Sequence, residues 1–189
     1  MKKIVLGIIG EISTGKTTAT DYLKEKYNSK TARFSNVLRD LLDRCYLPKT
    51  RENLQIISQS IRENFSQDIL SKILVKDIEN FDSEIVVVEG IRRPSDVPFL
   101  KDAYPDNFFT IYINTDEKLR FKRLTSRTEN PDDTQKTWEQ FQKDGQAEAE
   151  MAIKKIANKA NYTINNSGTL EEFYKSIEEI LERLLRTSQ

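Results

Sequence analysis

Apolar residues follow two periods along this chain. Lys3 to Ile9, Glu84 to Val88 and Phe108 to Ile113 are short, nearly continuous apolar runs, rich in β-branched residues, as strands buried on both faces require. Thr31 to Ser35 and Tyr162 to Asn165 read as two shorter strands. Between the runs, apolar positions recur at helical spacing. Ala19, Leu23 and Tyr27 form one such stripe, and Val37, Leu38, Leu41 and Leu42 form another that stops near Pro48. Leu54, Ile57, Ile61 and Phe65 follow, then Ile69, Ile73 and Leu74 after a break around residues 64–68. Pro94 opens a short helix. Further helices are predicted over about 116–128 and 134–160, separated by the polar loop Asn130-Pro131-Asp132-Asp133. The last helix carries Leu170, Phe173, Ile177, Ile180, Leu181 and Leu184. Strands alternating with helices predict an α/β fold: one domain over 1–189, built on a five-stranded parallel doubly wound sheet with right-handed crossovers. Ligands of such sheets bind at the carboxyl ends of the strands.

At the end of the first run stands Gly10-Glu11-Ile12-Ser13-Thr14-Gly15-Lys16-Thr17, followed by Thr18. It matches G-x-x-x-x-G-K-[ST] between a predicted strand and a predicted helix, the context that a phosphate-binding P-loop needs. Gly10 and Gly15 permit the tight turn that points backbone N–H groups at an anion, and the helix start adds its positive end. Lys16 is expected to reach the β- and γ-phosphates of ATP, and the Thr17 hydroxyl to ligate Mg²⁺. Ser13, Thr14 and Thr18 complete the predicted donor-phosphate cradle.

Two further constellations carry chemistry. Glu89-Gly90-Ile91-Arg92-Arg93 ends the third strand, where a carboxylate can hold a Mg²⁺-bound water opposite Thr17. Arg120, Arg123 and Arg127 lie at i, i+3 and i+7, so they share a helix face suited to clamping phosphate, while Phe121 and Leu124 dock that helix. The segment over about 128–145, with Trp138, reads either as a lid that excludes water or as a core anchor.

Composition narrows the choices. The 189 residues hold 30 Lys plus Arg and 30 Asp plus Glu, so no field of one sign points to nucleic acid or to an anionic membrane. A lone cysteine, Cys45, excludes an internal disulfide and fits a reducing, cytoplasmic setting. The absence of histidine removes Ser-His and Cys-His nucleophile pairs and His-ligated metals. Met1-Lys2-Lys3 before an apolar run looks like a signal peptide, but the run meets Glu11 with no small-residue cleavage site, so it reads as the first core strand.

These motifs, in this order, resemble the nucleoside-monophosphate-kinase branch of P-loop kinases, and adenylate kinase over nearly the whole length. Ser35-Asn36-Val37-Leu38-Arg39 is similar to the family's segment after strand two, implying that Ser35 and Arg39 hold the acceptor's phosphate. Glu89-Gly90-Ile91-Arg92-Arg93 is similar to its acidic-Gly-x-x-Arg segment. That implies a Mg²⁺ role for Glu89, and an acceptor-phosphate role for Arg93 by spacing or for Arg92 by a closer family. Arg123 and Arg127 resemble the arginine pair leading into the lid, with Arg120 beside them at the donor.

The closer likeness is to an uncharacterised archaeal family of adenylate-kinase-related kinases. It shares E-G-I-R, R-L-x-x-R, a D-D…T-W-E-x-F run (Asp132, Asp133, Thr137, Trp138, Glu139, Phe141) and an ending like Ala160 to Gly168, which implies that Ser167 borders the adenine. Lys143-Asp144 stands where that family has Arg-Asp. The stretch from Thr50-Arg51 through Leu54-Gln55 to Arg62 resembles phage-type deoxynucleoside-monophosphate kinases, and implies an acceptor-binding helical region over about 36–80. The final segment is similar to dephospho-CoA kinase, although Ser35-Asn36 replaces that family's catalytic aspartate, and the Asp-Arg motif of thymidylate kinase is missing.

The expected reaction is γ-phosphoryl transfer from ATP to a nucleoside-monophosphate-like small molecule, with Lys16, Arg92, Arg123 and Arg127 as the catalytic cations. An acceptor phosphate needs no general base, which suits a chain without histidine; Asp40 is the nearest carboxylate to a hydroxyl acceptor. The alternatives are dephospho-CoA kinase, and a P-loop ATPase or nucleotide switch with no small-molecule acceptor. Neither a nucleic-acid nor a membrane partner is expected, and the acceptor's base and the oligomeric state stay open.

Overall fold

A computed structural model describes residues 3–126, 133–146 and 148–187. The strands are β1 (Ile4–Ile9), β2 (Lys30–Arg33), β3 (Ile85–Glu89), β4 (Phe108–Asn114) and β5 (Tyr162–Asn165). They pair in parallel in the order β2-β3-β1-β4-β5. The helices among the described residues are α1 (Lys16–Tyr27), α2 (Phe34–Arg44), α3 (Arg51–Asn64), α4 (Ile69–Glu79), α5 (Asp96–Ala103), α6 (Glu117–Ser126), α7 (Trp138–Gly145), α8 (Glu148–Ala157) and α9 (Leu170–Thr187). The predicted α/β class and parallel five-stranded sheet are what the chain forms.

The continuous apolar strands feed two cores. Side chains alternate across the sheet, so Val5, Ile9, Val86 and Val88 join one cluster with α2, α4, α5 and α8, while Ile4, Leu6, Ile8, Ile85 and Val87 join another with α1 and α9. On α9, Phe173, Ile177, Ile180, Leu181 and Leu184 are buried against Ala19 and Leu23 of α1 and the sheet. Truncating Phe173, which is 1% exposed, would remove roughly 3–5 kcal/mol.

Two boundaries differ from the sequence reading. Phe34 and Ser35 open α2 rather than extending β2: Phe34 is buried among helix residues Val37 and Leu38, and pairing with β3 ends at Arg33 opposite Glu89. The single helix predicted over 134–160 is instead a 3-10 turn (Asp133–Gln135), α7 and α8. Thr137 starts α7 afresh through a capping box, its hydroxyl taking the Gln140 N–H while the Gln140 side chain takes the Thr137 N–H. The apolar residues also serve different targets. Trp138 meets Phe121 of α6 edge-on and Phe141 packs against it at a tilt, whereas Ile153 and Ile156 of α8 enter the main core. Trp138 is therefore an aromatic anchor that fastens α7 to α6. The predicted extension of α6 to residue 128, and Pro131 and Asp132 of the polar loop, lie outside the described residues.

Candidate active site

β1 delivers the chain to the P-loop at the carboxyl edge of the sheet. Gly10 is required there: a Cβ would stand 2.5 Å from Thr14 Oγ1 and 2.9 Å from the Ile113 carbonyl. Gly15 is required twice over. It starts α1 with φ 99°, in the left-handed region, and a Cβ on it would lie 2.3 Å from Asn166 Nδ2. With Ser13 also left-handed at φ 61°, the loop forms the concave turn that suits successive N–H groups to an anion. No side chain caps the start of α1, which leaves its first N–H groups for a ligand.

The loop is braced from below. Thr14 is fully buried, its hydroxyl donating to the Glu11 carbonyl at 3.1 Å. Its own carbonyl accepts from Thr115 Oγ1 (3.1 Å) and Asn166 Nδ2 (2.8 Å). Tyr112 donates to the Glu11 carboxylate at 2.9 Å. Lys16 lies along the loop, its ammonium donating to the carbonyls of Gly10 (2.8 Å) and Glu11 (2.6 Å).

Above the loop opens a cleft of about 1100 Å³, running from Gly10, Ser13, Thr14, Gly15, Thr17 and Thr18 across to α2 and α3. The charged side chains lining it are Lys16, Arg39, Lys49, Arg92 and Arg123; all are cationic, and no carboxylate faces it among the described residues. A chain of zero net charge thus concentrates positive charge in this cleft, the field that attracts polyanions.

Not every predicted residue meets there. Arg92 lines the cleft, while Arg93 does not; the Arg93 N–H donates to the Asp96 carboxylate at 3.3 Å. Arg39 lines it, with Nη1 3.4 Å from Ser35 Oγ. Ser35 itself stands behind Arg39 rather than on the cleft. Arg123 faces the cleft, and its Nη1 is buried with no hydrogen-bond partner among the described residues. Burial pulls that guanidinium below its ordinary value, though it stays charged at neutral pH. Arg120 turns aside, its guanidinium 5.4 Å from the centre of the Phe141 ring of α7. Arg127 lies outside the described residues. Ser167 is turned away as well, its hydroxyl taking the Asp116 N–H at 3.0 Å just ahead of α6; the neighbouring Asn166 lines the cleft in its place.

The predicted metal ligands divide likewise. Thr17 is exposed in the cleft. Glu89, at the end of β3, pairs through Oε2 with Arg33 Nε at 2.5 Å, so it is not one of the cleft-lining residues. Its Oε1 is buried without a hydrogen-bond partner among the described residues. A hydroxyl and an unspent carboxylate oxygen are the donor types that suit a hard, water-bearing cation such as Mg²⁺.

Asp40 faces the opposite way, into a separate cavity of about 270 Å³ with Asp77. Burial, and then the Asp40 charge, push the Asp77 carboxyl above its usual range.

Several cleft residues escaped the sequence reading. Lys49 pairs with Asp43 at 2.7 Å and sits one residue before Thr50, the N-cap of α3. Ser58 lines the cleft from α3, next to Gln55 of the stretch already noted in the sequence. The cap pattern at Thr50 shows where α3 begins, but which of its faces meets the P-loop depends on packing between distant segments. Asn166, next to the predicted Ser167, carried only the signal of its place at the end of a strand.

A family model described as "AAA domain" matches residues 12–142. A UPF0200/UPF0201 protein of Archaeoglobus fulgidus is 29% identical over 96% of this chain, but this chain spans only 56% of that protein's length. A UPF0200 protein of Thermococcus sibiricus is 24% identical over 96% of this chain and 95% of its own. Among solved structures, shikimate kinase from Bacteroides thetaiotaomicron superposes with a TM-score of 0.61 at 14% identity, over 96% of this chain and 98% of that one. A sugar kinase from Janibacter sp. gives 0.56 at 10% identity, over 95% and 93%. The shared architecture is that of P-loop kinases. Among the described residues, no helix is long and apolar enough to cross a membrane.

Proposed function

From the premise that this chain belongs to the AAA domain family and has a P-loop kinase fold, we propose that it transfers the γ-phosphoryl group of ATP to a small acceptor that itself carries a phosphate, of the nucleoside-monophosphate type. The observation that carries this reading is the cleft lining, cationic at both ends and free of carboxylates among the described residues. A kinase acting on a hydroxyl needs a carboxylate or other base at the acceptor. A kinase acting on a phosphate needs only cations, because the acceptor oxygen is already ionised. Asp40, the nearest carboxylate in sequence, faces another cavity.

The chain's own groups then divide the work. The P-loop N–H groups and the start of α1 bind the donor phosphates, and Asn166 and Thr115 hold that loop in shape. Lys16 exchanges its loop carbonyls for phosphate oxygens and, with Arg123, neutralises charge that builds on the transferred group. Arg39 and Arg92 orient the acceptor phosphate, with Lys49 at the cleft wall beyond them; the stretch over 36–80 is read as the acceptor region and 128–145 as the lid. An acceptor oxygen bonds to the γ-phosphorus as the bond to the β–γ bridging oxygen breaks, and ADP leaves. Thr17 and Glu89 would hold Mg²⁺, and that cation would supply charge neutralisation on the donor phosphates. A lid helix fastened by Trp138 and Phe141 to α6, which carries Arg123, suits closure that keeps water from the phosphoryl group.

The test is ADP release from Mg·ATP, first alone and then with each ribo- and deoxyribonucleoside monophosphate, dephospho-coenzyme A and shikimate. Stimulation by a monophosphate supports the reading and identifies the acceptor. Stimulation by a hydroxyl compound alone overturns the acceptor class. Release indifferent to every acceptor overturns the kinase reading.

A further inference from the structure

Gln55, Ser58 and Arg62 lie at i, i+3 and i+7 on α3, so they form one stripe. The first two line the cleft. The third continues the stripe into the interior, where its side chain is only 3% exposed. Arg62 Nη2 lies 2.8 Å from Asp96 Oδ1, and Nη1 donates to the Gln67 carbonyl. Asp96, 2% exposed in its side chain, begins α5. Its Oδ2 accepts the Arg93 N–H at 3.3 Å, and its carbonyl accepts from Ser71 of α4 at 3.3 Å. One buried residue thereby joins α3, α4 and the turn that presents Arg92 to the cleft.

Stability is a poor reason to keep such a pair. Burial pushes the Asp96 carboxyl up even against the pull of Arg62 and the backbone N–H groups of Arg93 and Arg92. The Arg62 Nε–H is buried with no partner among the described residues. Apolar side chains of similar volume commonly replace a buried ion pair with no loss of stability. What they cannot replace is direction: a guanidinium fork and a two-oxygen carboxylate fix the helix and the turn at defined angles as well as at contact distance.

We propose that Arg62 and Asp96 are a positioning pair that holds the cleft-facing stripe of α3 in register with Arg92. The consequence for catalysis rests on the kinase reading above; the structural coupling does not.

The test compares wild type with Arg62→Lys, which keeps the charge but loses the fork, and with the apolar double replacement Arg62→Met/Asp96→Leu. Two readouts are taken. Amide hydrogen exchange should show protection lost by about tenfold both in the last turn of α3 and over residues 91–96, in the double replacement and more weakly in Arg62→Lys, at a Tm within a few degrees of wild type. Steady-state kinetics with the monophosphate that stimulates wild type should show acceptor KM raised by about tenfold or more, with ATP KM within about twofold. Wild-type exchange in these two segments in both variants would overturn the positioning role, as would a double replacement with wild-type Tm and acceptor KM. If no acceptor stimulates wild type, the kinase reading falls and exchange alone decides the pair; if the double replacement does not fold, Arg62→Lys decides it by the same criteria.

Discussion

The two ends of the cleft are built on different plans. The end proposed to take the donor is a single stretch, Gly10 to Thr18, whose backbone is fixed by glycine geometry and by bonds from Thr115 and Asn166. The end proposed to take the acceptor gathers Arg39 from α2, Lys49 from the turn ahead of α3, Gln55 and Ser58 from α3, and Arg92 from the turn after β3. Backbone groups in a braced loop have no rotamers left to lose, whereas long cationic side chains on separate helices do. The donor end is therefore organised before any ligand arrives, and the acceptor end depends on ties between helices, such as Arg62 to Asp96.

That contrast can be broken by substitution. The largest effect is expected at Lys16→Ala, where turnover should fall by about 10²- to 10³-fold with little change in Tm; an unaltered rate would remove the P-loop from the chemistry. Arg39→Ala should come next. It removes a charge-assisted contact and should raise acceptor KM by about 10- to 100-fold while ATP KM barely moves. Equal weakening of both substrates would mean that the two ends are not separate. Asn166→Ala should do the reverse on a smaller scale. Loss of its bond to the Thr14 carbonyl should weaken ATP binding by about two- to tenfold, measured calorimetrically, and leave acceptor KM alone.

The smallest expected effect concerns the outer brace of the donor end. Glu178 on α9 takes hydrogen bonds from Tyr22 and Lys26 of α1, beside the stacked rings of Tyr22 and Tyr174. The hydrogen bond from Lys26, then that from Tyr22, holds the Glu178 carboxyl below its ordinary value. A carboxyl lowered in the folded state stabilises above its unfolded value and loses that contribution as pH falls through the folded one. Thermal melts from pH 6 down to pH 3 should therefore show a shallower decline for Glu178→Gln than for wild type, and a modest one because the pair is only partly shielded from solvent. Parallel curves would mean that the brace contributes nothing.

Legibility in the sequence followed the same division. The P-loop and the parallel sheet were readable because each rests on local periodicity or on residues adjacent in the chain. Tertiary contact adds what local pattern cannot show in particular places. Arg120 shares a helix face with Arg123, yet Phe141 of α7 captures its guanidinium. Ser167 and Asn166 are neighbours on one loop, and only packing under Gly15 directs Asn166 to the cleft. Glu89 ends its strand as expected, but the parallel register sets Arg33 beside it.

By itself, then, the sequence determined the fold class, the order of its elements and the donor loop, since hydrophobic period and glycine geometry act over a few residues. It left Arg92 and Arg93 equivalent, Asp40 available and Lys49 unnoticed. Only the tertiary structure decided that Arg92 faces the cleft, that Asp40 looks away and that Lys49 joins the wall. The reason is physical: a side chain's partner depends on how distant helices are rotated against the sheet, and that rotation is set by contacts such as Arg62 with Asp96, 34 residues apart.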